Sequence, residues 1–176
     1  MERNTQGTPA GPEVKTLILG MGNTILSDDG VGILLVRELK KSLAGRPGVD
    51  IRETPLAGLN LVYLLEGYHR AIIIDAMETR TPEPGKIHRL DLADFASTMH
   101  LTSPHGINLY TALEVGCRCG LRMPESVTIL AIEVENTSTF STRCSPHIET
   151  LMPEIKKNIL LTVNAELRAR HVTSLS

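Results

Sequence analysis

Short apolar segments alternate with amphipathic ones along most of the chain. Five apolar runs predict β-strands, of which Ala71-Ile-Ile-Ile-Asp75 is the clearest. The predicted strands cover residues 14–19, 49–54, 70–75, 86–90 and 127–133. Helices are predicted over residues 30–43, 58–66, 91–97 and 106–120. A last helix is marked by apolar residues spaced four apart, which are Leu151, Ile155, Ile159, Val163 and Leu167.

The alternation of strands with helices predicts an α/β fold. We expect three layers, in which a doubly wound, mostly parallel five-stranded sheet carries helices on both faces in the flavodoxin-like strand order 2-1-3-4-5. The chain of 176 residues suffices for one domain, predicted over residues 14–170 between flexible tails 1–13 and 171–176. Aromatic residues make up only 3% of the chain, so the core depends on Val, Ile, Leu and Ala, which suits a parallel sheet.

Charge and hydropathy argue against several classes of function. The 18 basic and 20 acidic residues give a net charge of −2, which offers no electrostatic reason to bind nucleic acid or an anionic membrane. The chain contains no run of apolar residues long enough to span a bilayer, and residues 1–13 carry no apolar signal core. We therefore expect a cytoplasmic protein, and nothing in the sequence requires more than a monomer.

The chain contains three cysteines, Cys117, Cys119 and Cys144. An odd number of cysteines in a chain that we expect to be cytoplasmic argues against a disulfide framework. Cys117 and Cys119 lie two residues apart on a predicted helix, where they would not share a face. A structural role is favoured, because free cysteine is commonly a small buried apolar residue, and a zinc site is the alternative.

The first predicted strand runs into the most informative segment, Gly20-Met-Gly-Asn-Thr-Ile-Leu-Ser-Asp-Asp-Gly-Val-Gly32. Ile25 stands where a dinucleotide-binding loop needs its third glycine, and no Gly-Lys-Ser/Thr follows as a P-loop requires. Two adjacent carboxylates, Asp28 and Asp29, are poor neighbours for a phosphate and good ones for a metal ion. The segment therefore predicts an acidic site at the carboxyl end of a strand, where open α/β sheets usually bind ligands.

Three potential metal ligands follow strands or open a crossover: Asp29 after the first strand, Asp75 at the end of the third, and His105 before the fourth helix. In the predicted order the first and third strands are neighbours across the switch point, so Asp29 and Asp75 would face one crevice. Two carboxylates and one imidazole suit a divalent transition metal such as nickel or zinc. Each residue also has a simpler explanation: the aspartates complement a helix dipole or cap the next segment, and His105 merely begins a helix.

Three motifs follow one another along the chain: the segment from Gly20 to Gly32, Ile72-Ile-Ile-Asp75-Ala and Ser103-Pro-His105-Gly. In sequence, order and spacing, these motifs together resemble the hydrogenase maturation endopeptidases. The resemblance spans residues 15–155 and extends to Ile132-Glu-Val-Glu-Asn136 and Ser145-Pro-His-Ile-Glu149. It implies a peptidase that removes a C-terminal extension from the large-subunit precursor of nickel-iron hydrogenases once nickel has been inserted.

The same resemblance assigns the metal-binding trio to Asp29, Asp75 and His105. We expect these side chains to approach nickel that the precursor already carries, so the metal serves as a recognition element and can polarise the scissile carbonyl or a water molecule. The same three residues are the candidate catalytic groups that the resemblance implies. The chain has Glu53-Thr-Pro-Leu56 where family members often carry Asp-Gly-Gly-Thr, which leaves the choice of substrate open, and loop 134–146 receives no role.

Two alternatives belong to other classes of function. A non-catalytic nickel-sensing or chaperone module could use the same fold to bind nickel or the precursor without cutting it. A flavin- or nucleotide-binding protein is the other alternative, but the acidic first loop weighs against it.

Overall fold

Strands made almost wholly of apolar residues form the centre of the sheet. The computed structural model describes residues 14–56, 58–92 and 104–169, and of residues 104–108 the backbone only. The strands are β1 (Thr16–Met21), β2 (Val49–Thr54), β3 (Arg70–Met77), β4 (Ile87–Asp91) and β5 (Ser126–Glu133). The helices are α1 (Val31–Ser42), α2 (Asn60–Leu65), α3 (Pro104–Arg118) and α4 (Pro146–Arg168). The strand order is β2-β1-β3-β5-β4, in which only β4 is antiparallel to its neighbour.

Helices cover both faces of this sheet. Ile73 and Ile129 point to the face on which α2 and α3 pack, whereas Ile72 and Leu130 point to the face on which α1 and α4 pack. Consecutive strand residues point to opposite faces, and helices bury both faces, which is why the central strands are mostly apolar along their length. The three-layer, mostly parallel α/β fold predicted from the sequence is confirmed.

The last two strands lie in the reverse of the predicted order. The connection 78–86 between β3 and β4 is too short for the crossover helix that a parallel neighbour needs, so β4 pairs antiparallel with β5 at the edge. Its residues are only partly buried or exposed, as expected of an edge strand. The flavodoxin-like order 2-1-3-4-5 is therefore wrong in its last two positions, and the neighbours β1 and β3 are as predicted.

Several element bounds also differ from the prediction. β1 begins and ends two residues later than predicted, and β3 continues two residues beyond Asp75. Asp91, expected to cap a helix over 91–97, is the last residue of β4, and 93–103 lie outside the described residues. The predicted tails 1–13 and 171–176 also lie outside them. Among the described helices, none is both long and apolar enough to cross a bilayer.

Candidate active site

The glycine-rich segment after β1 forms a tight 3-10 turn, Ser27–Gly30, which we call the acidic turn. Gly22 has φ +130°, and a Cβ there would lie 1.9 Å from the carbonyl oxygen of Asp29. A Cβ on Gly32 would lie 2.4 Å from the carbonyl oxygens of both Met21 and Ile74. These two glycines therefore allow α1 to begin directly against the ends of β1 and β3, with the acidic turn above them.

Asp29 and Asp75 come to the same edge of the sheet. The acidic turn contacts β3, and Asp75 follows Ile74, the residue of β3 paired with Gly20 of β1. Asp29 is 6% exposed and its Oδ2 accepts a hydrogen bond from the backbone N–H of Asn23 at 2.6 Å. Asp75 is 5% exposed and its Oδ1 accepts from the backbone N–H of Ala76 at 2.9 Å. Backbone amides thus orient both carboxylates at the carboxyl end of the central strands, where such sheets bind ligands.

His105 is the second residue of α3, one residue before the predicted start of that helix. Because α3 leads back to the amino end of β5, its own first turn lies at the carboxyl edge. The helix packs through Leu109 and Ala112 on the face to which Ile73 points, and strand alternation places Asp75 on that face as well. The side chain of His105 lies outside the described part of the structure. No three His, Cys, Asp or Glu side chains among those described are grouped to hold a metal ion, so the trio stays a prediction.

The segment 134–145, which we call the clamp loop, receives no function from the sequence, yet it contacts the acidic turn. Its backbone binds the acidic turn from one side: Asp28 N–H donates to Asn136 O at 3.0 Å and Ser27 N–H to Ser141 O at 2.9 Å. Ser141 N–H in turn donates to Ile25 O at 3.1 Å. Carbonyl and amide groups are present in every residue, so the side-chain pattern of this loop gave no signal of these contacts. The clamp loop therefore supports the acidic turn, which carries Asp29.

Comparisons with known proteins identify the family. The family model HycI, described as hydrogenase maturation protease, matches residues 33–162, a range that includes Asp75 and His105 and begins just after Asp29. The chain belongs to the hydrogenase maturation protease family. It is 24% identical over 153 residues to hydrogenase 2 maturation protease of Escherichia coli strain K12, covering 82% of this chain and 93% of that protein. The family resemblance drawn from the three motifs is confirmed.

Two solved structures show the same fold. The hydrogenase maturating endopeptidase HybD from Escherichia coli superposes with a TM-score of 0.69 at 22% identity, covering 87% of this chain and 94% of the other. The NiFe hydrogenase maturation protease HybD from Thermococcus kodakarensis gives a TM-score of 0.62 at 20% identity, covering 85% and 99%. At these identities the likeness supports the fold, and membership of the protease family rests on the sequence match.

The three cysteines of this family member differ in their exposure to solvent. Cys117 and Cys119, for which a structural role as buried residues was favoured, are both exposed, and Cys144 in the clamp loop is the buried one. Burial, together with the negative charges of Asp28 and Glu149, raises the pKa of the Cys144 thiol to about 11. Cys144 is therefore a neutral thiol at pH 7, which is a poor state for a nucleophile or a metal ligand.

A second buried acid, Glu133, ends β5 at the same edge of the sheet. It is 2% exposed, accepts from the Thr79 hydroxyl, and lies with its Oε2 2.8 Å from Nε2 of His88 on β4. Burial raises the pKa of Glu133, but the hydrogen bonds from Thr79 and His88 outweigh it and leave the pKa below its ordinary value. Glu133 thereby ties both ends of the connection that follows β3, which supports the strand segment carrying Asp75.

The segment in which this chain departs from the family pattern lies beside the candidate site. β2 pairs with β1 up to Thr54 and Met21, so Glu53 and the residues after it sit at the carboxyl edge. Arg37 of α1 donates to both oxygens of Glu53, at 2.9 and 3.1 Å, and its hydrogen bond lowers the pKa of that carboxyl. The segment that departs from the family pattern is therefore anchored at the carboxyl edge of the sheet by the Arg37–Glu53 ion pair.

Proposed function

We propose that this protein is an endopeptidase that recognises nickel in the large-subunit precursor of a nickel-iron hydrogenase and removes the C-terminal extension of that precursor during maturation. The observation that carries the proposal is the pair of buried carboxylates, Asp29 and Asp75, at one edge of a hydrogenase maturation protease fold. Burial strengthens their attraction for an incoming cation, since water screens them little.

In this proposal the nickel ion belongs to the substrate. Asp29, Asp75 and His105 approach it once the precursor has docked, because carboxylate and imidazole groups are suitable ligands for a divalent transition metal. The ion, so held, polarises the scissile carbonyl or a water molecule at the cleavage site. The three residues are also the candidate catalytic groups. They position the substrate's metal ion whether or not they also take part in the hydrolysis.

The proposal is supported by the fixed orientation of Asp29 and Asp75 and by the chemical state of Cys144. Asn23 N–H and Ala76 N–H fix the orientation of Asp29 and Asp75, so these carboxylates are held in place before the substrate arrives. The buried neutral Cys144 thiol gives no support to a thiol protease. A metal-assisted hydrolysis that begins from the precursor's nickel therefore fits the described side chains best.

The test is an incubation of the protein with nickel-loaded and nickel-free large-subunit precursors, followed by intact-mass measurement. We expect loss of a defined C-terminal peptide from the nickel-loaded precursor alone. Nickel-dependent binding with no change of mass across a panel of precursors would instead support the non-catalytic chaperone. Cleavage of both forms at equal rates would show that nickel is not the recognition element.

A further inference from the structure

The clamp loop holds the acidic turn in a conformation that the turn would not adopt alone. Ser27, the residue that opens the turn, has φ +45°, in the left-handed region that side chains rarely occupy. Its N–H donates to Ser141 O at 2.9 Å, and the next N–H, that of Asp28, donates to Asn136 O at 3.0 Å. Strained backbone persists only where its surroundings fix it, so the clamp loop is what fixes this turn.

Asp28 makes the side-chain part of this connection. It is fully buried, and its Oδ1 accepts from the backbone N–H of Ser145, 117 residues away, at 2.6 Å. Ser145 is the N-cap of α4, and its own hydroxyl accepts from Ile148 N–H. Asp28 thus joins the acidic turn to the first turn of α4 through one short, charge-assisted hydrogen bond.

The simpler explanation, that Asp28 complements the dipole of α1, does not account for its hydrogen bond to the N-cap residue of α4. The N-cap position of α1 is Gly30 and has no side-chain cap hydrogen bond. The second oxygen of Asp28, Oδ2, is buried with no hydrogen-bond partner among the described residues. A carboxylate that is buried and only half satisfied is a poor choice for stability, which points to a requirement other than folding.

We propose that Asp28 is a positioning residue: its bond to Ser145 N–H locks the acidic turn onto α4 and so fixes Asp29, the next residue, for its contact with substrate. The inference rests on the role proposed for Asp29. Asp29 is held from one side by Asn23 N–H and from the other by the turn itself. Loss of the Asp28 bond removes the side-chain part of this support and leaves the backbone bonds to the clamp loop, so the turn is held less firmly and Asp29 shifts while the protein remains folded.

The experiment compares Asp28→Ala with Asp28→Asn, which keeps an acceptor for Ser145 N–H in nearly the same volume. With nickel-loaded precursor, we expect Asp28→Ala to lower kcat about 100-fold, since a displacement of about 1 Å in a catalytic group has that effect. KM should stay within about twofold of wild type, because the docking surface is unchanged. Asp28→Asn should recover kcat to within about fivefold of wild type.

A structural readout and a matched control accompany the kinetics. Hydrogen exchange at the Ser145 amide should be accelerated in Asp28→Ala and protected in Asp28→Asn, because only the second variant retains the acceptor. Glu166→Gln alters another buried carboxylate, on the far end of the sheet, and should leave kcat unchanged. If Asp28→Ala does not fold, Asn136→Ala tests the clamp from the loop side, since Asn136 Oδ1 accepts from Ser138 N–H and Thr139 N–H. This variant should lower kcat with KM unchanged.

The outcomes separate this inference from the proposed function. An inactive wild-type protein would contradict the proposed function, whatever the variants show. Wild-type kcat in Asp28→Ala, or in Asn136→Ala where it is the variant used, overturns the positioning role. Equal loss of kcat in Asp28→Ala and Asp28→Asn overturns it as well, because the charge rather than the hydrogen bond would then be required.

Discussion

Buried acids at the two ends of the sheet are held in different ways. At the amino end, Glu166 of α4 is 8% exposed and is bound by Arg89, whose Nε lies 2.5 Å and whose Nη2 lies 3.3 Å from its two oxygens. Thr128 also donates to it at 3.4 Å. At the carboxyl end, Asp28 and Asp29 accept backbone N–H groups.

The two ends of the sheet differ in the charge of the group that binds each buried acid. A guanidinium neutralises the acid it binds, so Glu166 serves to attach α4 to the sheet. A backbone amide carries no formal charge, so the hydrogen bonds to Asp28 and Asp29 orient these carboxylates without themselves neutralising them, and in our proposal the oriented Asp29 meets a cation that arrives with the substrate. The same residue chemistry is thus structural at one end and, in our proposal, functional at the other.

Removing any one of the three predicted nickel ligands at the carboxyl end should have the largest effect on activity. We expect Asp29→Ala, Asp75→Ala and His105→Ala each to reduce processing of the nickel-loaded precursor by at least about 100-fold, because each removes a proposed ligand of the nickel ion that polarises the scissile carbonyl or the attacking water. Circular dichroism should show an unchanged fold. Glu166→Gln is the control at the other end and should process at the wild-type rate. A folded variant of the first three that cleaves normally would remove that residue from the proposed site.

Breaking the ion pair of the amino end should affect stability and not activity. Arg89→Ala removes the guanidinium and leaves the buried Glu166 carboxylate with the long hydrogen bond from the Thr128 hydroxyl, 3.4 Å. We therefore expect a loss of about 1–3 kcal/mol in the free energy of unfolding, less than for a fully buried pair because Arg89 is half exposed. Urea denaturation measures this loss. Arg118→Ala removes an exposed pair with Glu114 and should cost less than about 1 kcal/mol.

The pH dependence of Arg89→Ala sharpens the test. The hydrogen bond from Arg89 holds the pKa of Glu166 below its ordinary value of 4.5. A carboxyl with a lowered pKa in the folded state stabilises the fold above its unfolded pKa, and this stability is lost as the pH falls through the folded pKa. The difference in unfolding free energy between wild type and Arg89→Ala should therefore be full at pH 7 and smaller below about pH 4. A difference that is independent of pH would show that Arg89 acts through packing alone.

The sequence predicted the features that depend on local pattern. β3 is buried on both faces, so its run of isoleucines was visible, and Asp75 stood out as the polar residue that interrupts it. The place of β4 depends instead on the length of connection 78–86, and its polar residues His88 and Arg89 were the available sign of an edge strand.

The clamp loop and the role of Asp28 could not be predicted in this way. The partner of Asp28 is a backbone amide 117 residues away, and a backbone amide has no sequence signature. Ser27 adopts a left-handed backbone conformation, but serine, unlike glycine, does not indicate such a conformation in a sequence. The structure thus adds long-range contacts with main-chain groups to the motif seen in the sequence. These contacts are made by Asp28, the neighbour of the predicted metal ligand Asp29.

The cysteines provide the comparison with the smallest expected effect on activity. Cys144 is buried near the charge of Asp28 and has a pKa of about 11, whereas Cys117 and Cys119 are exposed. Iodoacetamide at pH 8 should modify Cys117 and Cys119 and leave Cys144 unmodified until the protein unfolds, as peptide mass mapping would show, because the thiolate is the reactive form. Processing by the doubly modified protein, and by the Cys117→Ser and Cys119→Ser variants, should stay at the wild-type rate. Loss of activity in a folded serine variant would instead give the Cys117 and Cys119 pair a role in metal binding or catalysis.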